Sequence, residues 1–388
     1  MQSKTIESYI LKGLKKVVGK KSKQLHEPIF LGNEKKYLID CINSTYVSTV
    51  GKYVNLFENK LKKYTKANNA VAIINGTSAL QICLKSIGVN FNDEVIIPSL
   101  TFIATANAVK HCGAYPNFVD VEKDTFGVCP NKLEKYFKKI LIREKNYSIN
   151  RYNGRKVKAL IAVHVFGMPC KINQINKICK KYKIKVIEDA AESIGSFFKK
   201  KHLGTFSLAG VISFNGNKTV TCGNGAIVLS NNKKLAKKIK HLSTQAKLVH
   251  KWEYDHDDIG YNYRLSNINA AIGCAQMEKL SIILKAKRQN FETYFKVFNK
   301  FNDVQILREP KFVRSNYWLI SMKINQKKIK KNNLLKKLHK SGFLGRPVWK
   351  PLHNLKIFKN SKKDKCRNAI EVYNSIINLP SSPGVSLK

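Results

Sequence analysis

Between about residues 70 and 230, short apolar runs alternate with stretches of helical periodicity. The runs are Ala70–Ile74, Glu94–Pro98, Pro116–Val121, Val157–His164, Ile184–Glu188, Gly210–Phe214 and Ala226–Leu229. Each is four to eight residues long, and several are rich in Val and Ile. Runs that are apolar throughout, rather than at alternate positions, predict strands covered on both faces. Between the first two, Leu80, Cys83, Leu84 and Ile87 follow i, i+3, i+4, i+7 spacing within Thr77–Gly88, and Gly88 is a plausible stop. This order predicts an α/β architecture, a sheet between helical layers. Beyond about residue 255 the texture changes. Ile268–Gln289 predicts a long helix, Ser315–Ile324 a strand, Ile329–Ser341 a basic helix and Ala369–Ile377 a closing helix. Glu34–Ile42 predicts a helix leading into the first unit. The expected division is a basic extension over 1–30, a large domain over 31–255 and a small α+β domain over 256–388. Ile6 to Val18 has a basic amphipathic pattern, read as a solvated extension in preference to a membrane-surface anchor.

A length of 388 residues suits one large domain and a smaller one. No stretch approaches the ~20 apolar residues of a membrane helix, and no apolar run precedes a small-residue cleavage site. Nine cysteines are scattered without Cys-x-x-Cys spacing, so free thiols in a reducing, cytoplasmic compartment are expected. The net charge of +46 is extreme. A nucleic-acid binder would show such an excess. The lysines are nevertheless spread along the whole chain, densest over Lys12–Lys23 and Lys327–Lys365, among abundant Asn and Ile. That pattern points to compositional drift and a basic surface suited to anionic substrates, with neither nucleic acid nor membrane as the partner. His250, Asp255, His256 and Asp257 lack regular ligand spacing, so no metal is expected there.

Four turns carry candidate chemistry. Asp189 ends a buried strand, where ligands of open α/β sheets bind; the plain alternative is a helix N-cap for Ala190 onward. Lys218 follows an apolar strand and precedes the glycine-rich turn Thr221-Cys-Gly-Asn-Gly225. It is also one lysine among many, and the segment is not a phosphate-binding P-loop, because Asn217 breaks the Gly-Lys-Thr triplet. Asn75-Gly-Thr-Ser-Ala-Leu80 runs from a strand end into a helix start, a place for a phosphate. Pro98-Ser-Leu-Thr-Phe102 is another such turn, with Phe102 available to stack on a planar ring or to join the core. Together a phosphate cradle, an aromatic ring, a carboxylate and a lysine are the parts of a pyridoxal-phosphate site.

At these residues the chain resembles the DegT/DnrJ/EryC1/StrS sugar aminotransferases, fold-type I pyridoxal-phosphate enzymes. The resemblance runs from about Pro28 to Pro383. It includes Tyr46-Val-Ser-Thr-Val-Gly51, Asn75-Gly-Thr-Ser-Ala79, Asp93-Glu-Val-Ile-Ile-Pro98, Thr101-Phe-Ile-Ala-Thr-Ala-Asn107, Glu188-Asp-Ala-Ala191, Ser213 to Lys218 and Gly260-Tyr-Asn-Tyr-Arg264. It implies a mostly parallel seven-stranded sheet in the large domain. It also implies Lys218 as Schiff-base lysine and acid–base group, with Asp189 pairing with the pyridine nitrogen. Glu192 stands where the family often has Gln or His facing the ring hydroxyl. Thr77 and Ser78 are implied to give backbone N–H groups to the phosphate, Ser213 its hydroxyl, and Phe102 to stack. The Tyr261–Arg264 stretch resembles the loop that reaches a neighbouring subunit's site in a homodimer; Asn262 is the favoured phosphate contact, with Arg264 the alternative. Relatives commonly have an unbroken glycine turn after the lysine; here Asn224 is expected to take φ > 0.

Ser213-Phe-Asn-Gly-Asn-Lys218, the Ala246–Asp257 stretch, Arg314-Ser-Asn-Tyr-Trp318 and Arg346-Pro-Val-Trp-Lys-Pro-Leu-His353 resemble the branch acting in legionaminic acid and bacillosamine-type pathways. The implied reaction moves an amino group from L-glutamate to C4 of a UDP- or GDP-linked 2-acetamido-4-keto-dideoxyhexose. Arg346, Lys350 and His353 are candidate contacts to the sugar nucleotide or donor carboxylate, set against a basic surface turn. His164 is expected to line the site, with a satisfied core histidine as the alternative. Two competing functions remain. A sugar dehydratase of this family has histidine in place of Lys218. A nucleic-acid binder on a decayed scaffold has no reason to retain Asp189, Ser213 and Lys218 together.

Overall fold

The computed structural model describes residues 3–19 and 23–387. Parts of the predicted 1–30 extension, residues 1–2 and 20–22, lie outside the described residues. The helices are α1 (Ser3–Val18), α2 (Glu34–Asn43), α3 (Lys52–Thr65), α4 (Gly76–Ser86), α5 (Ile103–His111), α6 (Pro130–Ile140), α7 (Ile172–Lys181), α8 (Lys233–Ser243), α9 (Asn267–Phe298), α10 (Lys331–Lys340) and α11 (Arg367–Ser375).

The seven apolar runs are the seven strands of the main sheet: β1 (Asn69–Ile73), β2 (Glu94–Pro98), β3 (Tyr115–Val119), β4 (Lys156–Val163), β5 (Lys185–Asp189), β6 (Ala209–Ser213) and β7 (Ala226–Ser230). Their order is β1-β7-β6-β5-β4-β2-β3. Only β7 runs against its neighbours; β6, β5, β4, β2 and β3 pair in parallel. A hairpin of Leu141–Arg143 and Ser148–Asn150 extends the sheet beside β4. Its two strands are too short and too polar to announce themselves in the sequence. The strand interiors are almost wholly buried, as continuous apolar runs require.

Six strands point their carboxyl ends the same way, and α4 and α5 begin just beyond two of those ends. The order breaks between β1 and β2, which lie on opposite sides of the intervening strands. Such a break opens a crevice at the carboxyl edge of a sheet.

A second, four-stranded sheet is built from β8 (Val304–Ile306), β9 (Ile320–Ile324), β10 (Arg346–Pro347) and β11 (Ile376–Leu379), in the order β8-β9-β11-β10. The long helix α9 continues nine residues past the predicted end at Gln289. The reason is what covers its last turns. On α1, Ile6, Ile10, Leu14 and Val18 recur every four residues and are all buried. They share a core with Phe291, Tyr294 and Phe298 of α9 and with residues of the second sheet. A Cβ on Gly13 would stand 2.6 Å from the Phe298 ring, so only glycine permits this approach. Lys337 of α10 pairs with the buried Glu7. The expectation of a solvated N-terminal extension is therefore corrected for these residues: the apolar stripe of α1 has a partner, and the partner is about 280 residues away in sequence. No helix among the described residues is long and apolar enough to cross a membrane.

Candidate active site

A cavity of about 320 Å³ opens at the carboxyl edge of the main sheet. Its wall is assembled from the turns after β1, β2, β4, β5 and β6, with Trp318 and Trp349 closing it from the side of the second sheet.

The turn after β1 enters α4. Asn75 caps that helix, its Oδ1 accepting the Ser78 N–H at 2.8 Å. Gly76 and Thr77 line the cavity. Ser78 does not, and its N–H is already spent on the cap; that expectation is corrected. The cavity therefore faces a helix N-terminus, where backbone donors and the helix dipole favour an anion.

Asp189 ends β5 and is buried. No helix follows it, so the N-cap alternative fails. Its Oδ2 accepts from Thr105 Oγ1 at 2.8 Å, and its Oδ1 from the Ala191 N–H at 3.2 Å. Thr105 is in turn held by Thr101 at 2.9 Å. Burial pushes the Asp189 carboxyl above its usual range, against these two hydrogen bonds.

Strand register explains why the neighbouring residues behave otherwise. Val163 of β4 pairs with Asp189 of β5, and both line the cavity. Successive side chains point to opposite faces, so His164 and Glu188 turn away together. His164 is fully buried, Nε2 2.9 Å from Glu188 Oε2 and Nδ1 accepting the Cys170 N–H. Glu188 also accepts the N–H groups of Gly204, Phe206 and Ser207. His164 is thus a satisfied core histidine and does not line the site.

Ser213 ends β6, and the chain loops out to Lys218 before returning into β7. The loop is closed by Phe214 N–H to Gly225 O and Cys222 N–H to Phe214 O, both 2.8 Å. Gly223 takes the left-handed turn at φ +77°, and Asn224 does not; the expectation for Asn224 is corrected, and its side of the turn lines the cavity instead. Lys218 Nζ stands 4.0 Å from the centre of the Trp318 ring and 3.3 Å from Glu192 Oε1. Trp318 is oriented by its Nε1–H to the Asn217 carbonyl at 2.8 Å. Glu192 Oε2 accepts the Phe166 N–H at 2.7 Å. Burial is the main cause that pushes the Glu192 carboxyl up to about 7, against the pull of Lys218 and the Phe166 N–H.

Phe102 is 54% exposed at the cavity mouth. Its ring lies 6.3 Å from Trp349, which lies 4.8 Å from Phe166, which lies 6.1 Å from Trp318. Aromatic side chains thus run from the mouth to the lysine.

Other sequence candidates stand apart. His353 is buried against Ser99, and the Leu352 N–H bonds the Ser99 carbonyl at 2.8 Å. It pins the segment carrying Trp349 to the end of β2, and burial lowers its pKa. Arg346 is exposed in β10, paired with Asn378, and Lys350 is exposed. None of the three lines the cavity of this chain. Asn262 is exposed, and Arg264 bridges Ile73 with a buried Nε that meets no partner; neither lines this cavity. The sequence reading missed Thr105, Asn215, Asn217, Trp318 and Trp349 as cavity residues. A signal was present: Thr105 sits four residues after Thr101 across a helix start, and Asn215, Asn217, Trp318 and Trp349 lie within the motifs Ser213–Lys218, Arg314–Trp318 and Arg346–His353 already singled out, where no role was given to them.

The model of the DegT/DnrJ/EryC1/StrS aminotransferase family matches residues 30–388. A GDP-perosamine synthase of Escherichia coli O157:H7 is 37% identical, over 93% of this chain and 94% of that protein. A UDP-4-amino-4,6-dideoxy-N-acetyl-beta-L-altrosamine transaminase of Campylobacter jejuni is 30% identical, over 88% of each. Among solved structures, Helicobacter pylori PseC, an aminotransferase involved in the biosynthesis of pseudoaminic acid, superposes with a TM-score of 0.81 at 27% identity and covers 92% of each chain. The chain belongs to the DegT/DnrJ/EryC1/StrS aminotransferase family, whose enzymes depend on pyridoxal phosphate and act on nucleotide sugars.

Proposed function

We propose that this enzyme moves an amino group from L-glutamate to C4 of a GDP- or UDP-linked 4-keto-6-deoxy sugar, with Lys218 as the residue that holds the cofactor. The observation that carries the reading is the convergence of Lys218, Asp189, Ser213 and Thr77 on one cavity at the carboxyl edge of the sheet.

The residues fit pyridoxal phosphate by their chemistry. A helix N-terminus and the Ser213 hydroxyl suit the phosphate. Gly76 lies against Ser213, where a Cβ would make ordinary contact with the Ser213 side chain at 3.4 Å. Asp189, fixed by Thr105 and Ala191, suits a protonated pyridine nitrogen, and Phe102 suits the ring face. The bound cofactor supplies an electron sink for a carbanion next to nitrogen. The chain's own part is positioning and proton movement. Lys218 Nζ carries the proton away from the glutamate carbon and returns one to the sugar C4. The aromatic rings keep water from the lysine and offer faces to a hexose.

The similarity to a GDP-perosamine synthase favours a GDP-linked sugar. The similarity to the altrosamine transaminase, together with the resemblance to the legionaminic acid branch, favours a UDP-linked sugar with a 2-acetamido group. Incubating the protein with glutamate and GDP- or UDP-linked 4-keto sugars, with and without the acetamido group, decides between them. A homodimer completes the reading. Tyr46, Val50, Trp252, Tyr254 and Ile259 are large apolar residues left more than half exposed, and a second copy is proposed to cover them and to receive Asn262 or Arg264.

The direct test is Lys218→Ala. Turnover is expected to vanish while the cofactor still binds through its phosphate, and borohydride is expected to fix cofactor to Lys218 of the unsubstituted protein. Near-normal transamination by Lys218→Ala would sink the proposal.

A further inference from the structure

Lys218, Asp189 and Glu192 share one wall of the cavity, and a single cation cannot neutralise both carboxylates. Asp189 has its own donors in Thr105 and Ala191. Glu192 has the Phe166 N–H and Lys218 Nζ. We propose that Glu192 is the base that takes the ammonium proton from Lys218, and that it stays protonated while Lys218 is engaged with the cofactor. This rests on the reading of Lys218 as the cofactor lysine.

The geometry supports the transfer. Glu192 Oε1 is 3.3 Å from Nζ, within reach of one proton transfer, and the side chain of Glu192 is 7% exposed. An ammonium group has no lone pair, so it must lose a proton before it can attack an aldehyde carbon. Transfer converts –NH₃⁺ and –COO⁻ into –NH₂ and –COOH with no co-reactant; the nitrogen then forms its double bond to the aldehyde carbon, and its two remaining hydrogens leave with the aldehyde oxygen as water. Afterwards Glu192 has lost the Lys218 ammonium and keeps the Phe166 N–H. A buried carboxylate with one donor holds a proton more readily than one with two. The titratable groups facing Glu192 are Lys218, 3.3 Å away, and Asp189, at the end of β5; Asp189 opposes its ionisation. His164 is on the opposite face of the sheet, and Lys287 is turned to the carbonyls of Trp318 and Ser381. Burial already brings the Glu192 carboxyl to about 7, so it exchanges a proton at neutral pH. Phe166 holds φ +56° and ψ +26°, an unusual conformation for a bulky residue, and in it its N–H meets Glu192.

The test is infrared difference spectroscopy of cofactor-free against pyridoxal-phosphate-loaded protein. Loading at about pH 8, where the cofactor-free Glu192 carboxyl is mostly ionised, is expected to create a protonated-carboxyl carbonyl stretch that is absent in Glu192→Gln and retained in Asp189→Asn. Glutamine keeps an oxygen for the Phe166 N–H, so the fold is preserved. In parallel, Glu192→Gln is expected to slow the absorbance change of cofactor capture at neutral pH on the order of 10²-fold, with the rate restored at alkaline pH, where hydroxide removes the proton. A loaded protein with cofactor fixed on Lys218 but no such band, a band that survives in Glu192→Gln, or an unchanged capture rate sinks the role of Glu192 alone. Cofactor fixed by borohydride on another lysine sinks both this inference and the reading beneath it.

Discussion

Glu192 ties a protonation state to the stability of the fold. Its folded pKa of about 7 lies above the ordinary 4.5 because burial disfavours the charge. Between those values the folded protein holds a proton that the unfolded chain has released, so stability falls as pH rises across that window. Glutamine does not titrate. Cofactor-free Glu192→Gln should therefore exceed the parent by ~1–3 kcal/mol at about pH 8 and converge with it near the lower limit, as read from urea midpoints at each pH. A constant difference at all pH values would contradict the raised pKa. Single residues were legible in the sequence only where their direction was forced. Asp189 and Lys218 sit at strand-end turns, and the sheet aims both at the crevice. His164 follows a strand whose register with β5 decides which way it faces, and no local pattern encodes that register. His353 was legible as a polar residue in a basic turn, but its neighbour Ser99 lies 254 residues away.

Elements were easier to read than residues because burial writes itself into runs. All seven strands of the main sheet were foreseen within about two residues, since strands covered on both faces must be apolar throughout. The polar hairpin over 141–150 left no such trace. For α1 the amphipathic stripe was visible while its burial was not, because the covering surface on α9 is distant in sequence. That burial is measurable. Ile10 is fully buried against the Phe291–Phe298 end of α9. Ile10→Ala should cost about 2–5 kcal/mol, as a large-to-small change in a packed core does, and lower the urea midpoint of the small sheet's environment. A solvated helix would tolerate the change without effect.

For the whole molecule, the proposed dimer makes each cavity depend on two chains. If Arg264 or Asn262 serves the neighbouring cavity, Arg264→Ala and Lys218→Ala chains, each inactive alone, should complement when mixed and allowed to reassort. Half of the dimers would then be mixed, each with one intact site, so about a quarter of the parental activity is expected. No recovery, with exchange shown by mass, would place Arg264 in its own chain's affairs. The docking of α1 also sets a schedule for biosynthesis. About 270 residues separate Val18 from Phe291, and a ribosome adds roughly 5–20 residues per second. A basic helix with a greasy stripe therefore waits roughly 15–55 s for its partner. During that interval it is a ready client for chaperones, and the small sheet's core closes only after synthesis is nearly finished.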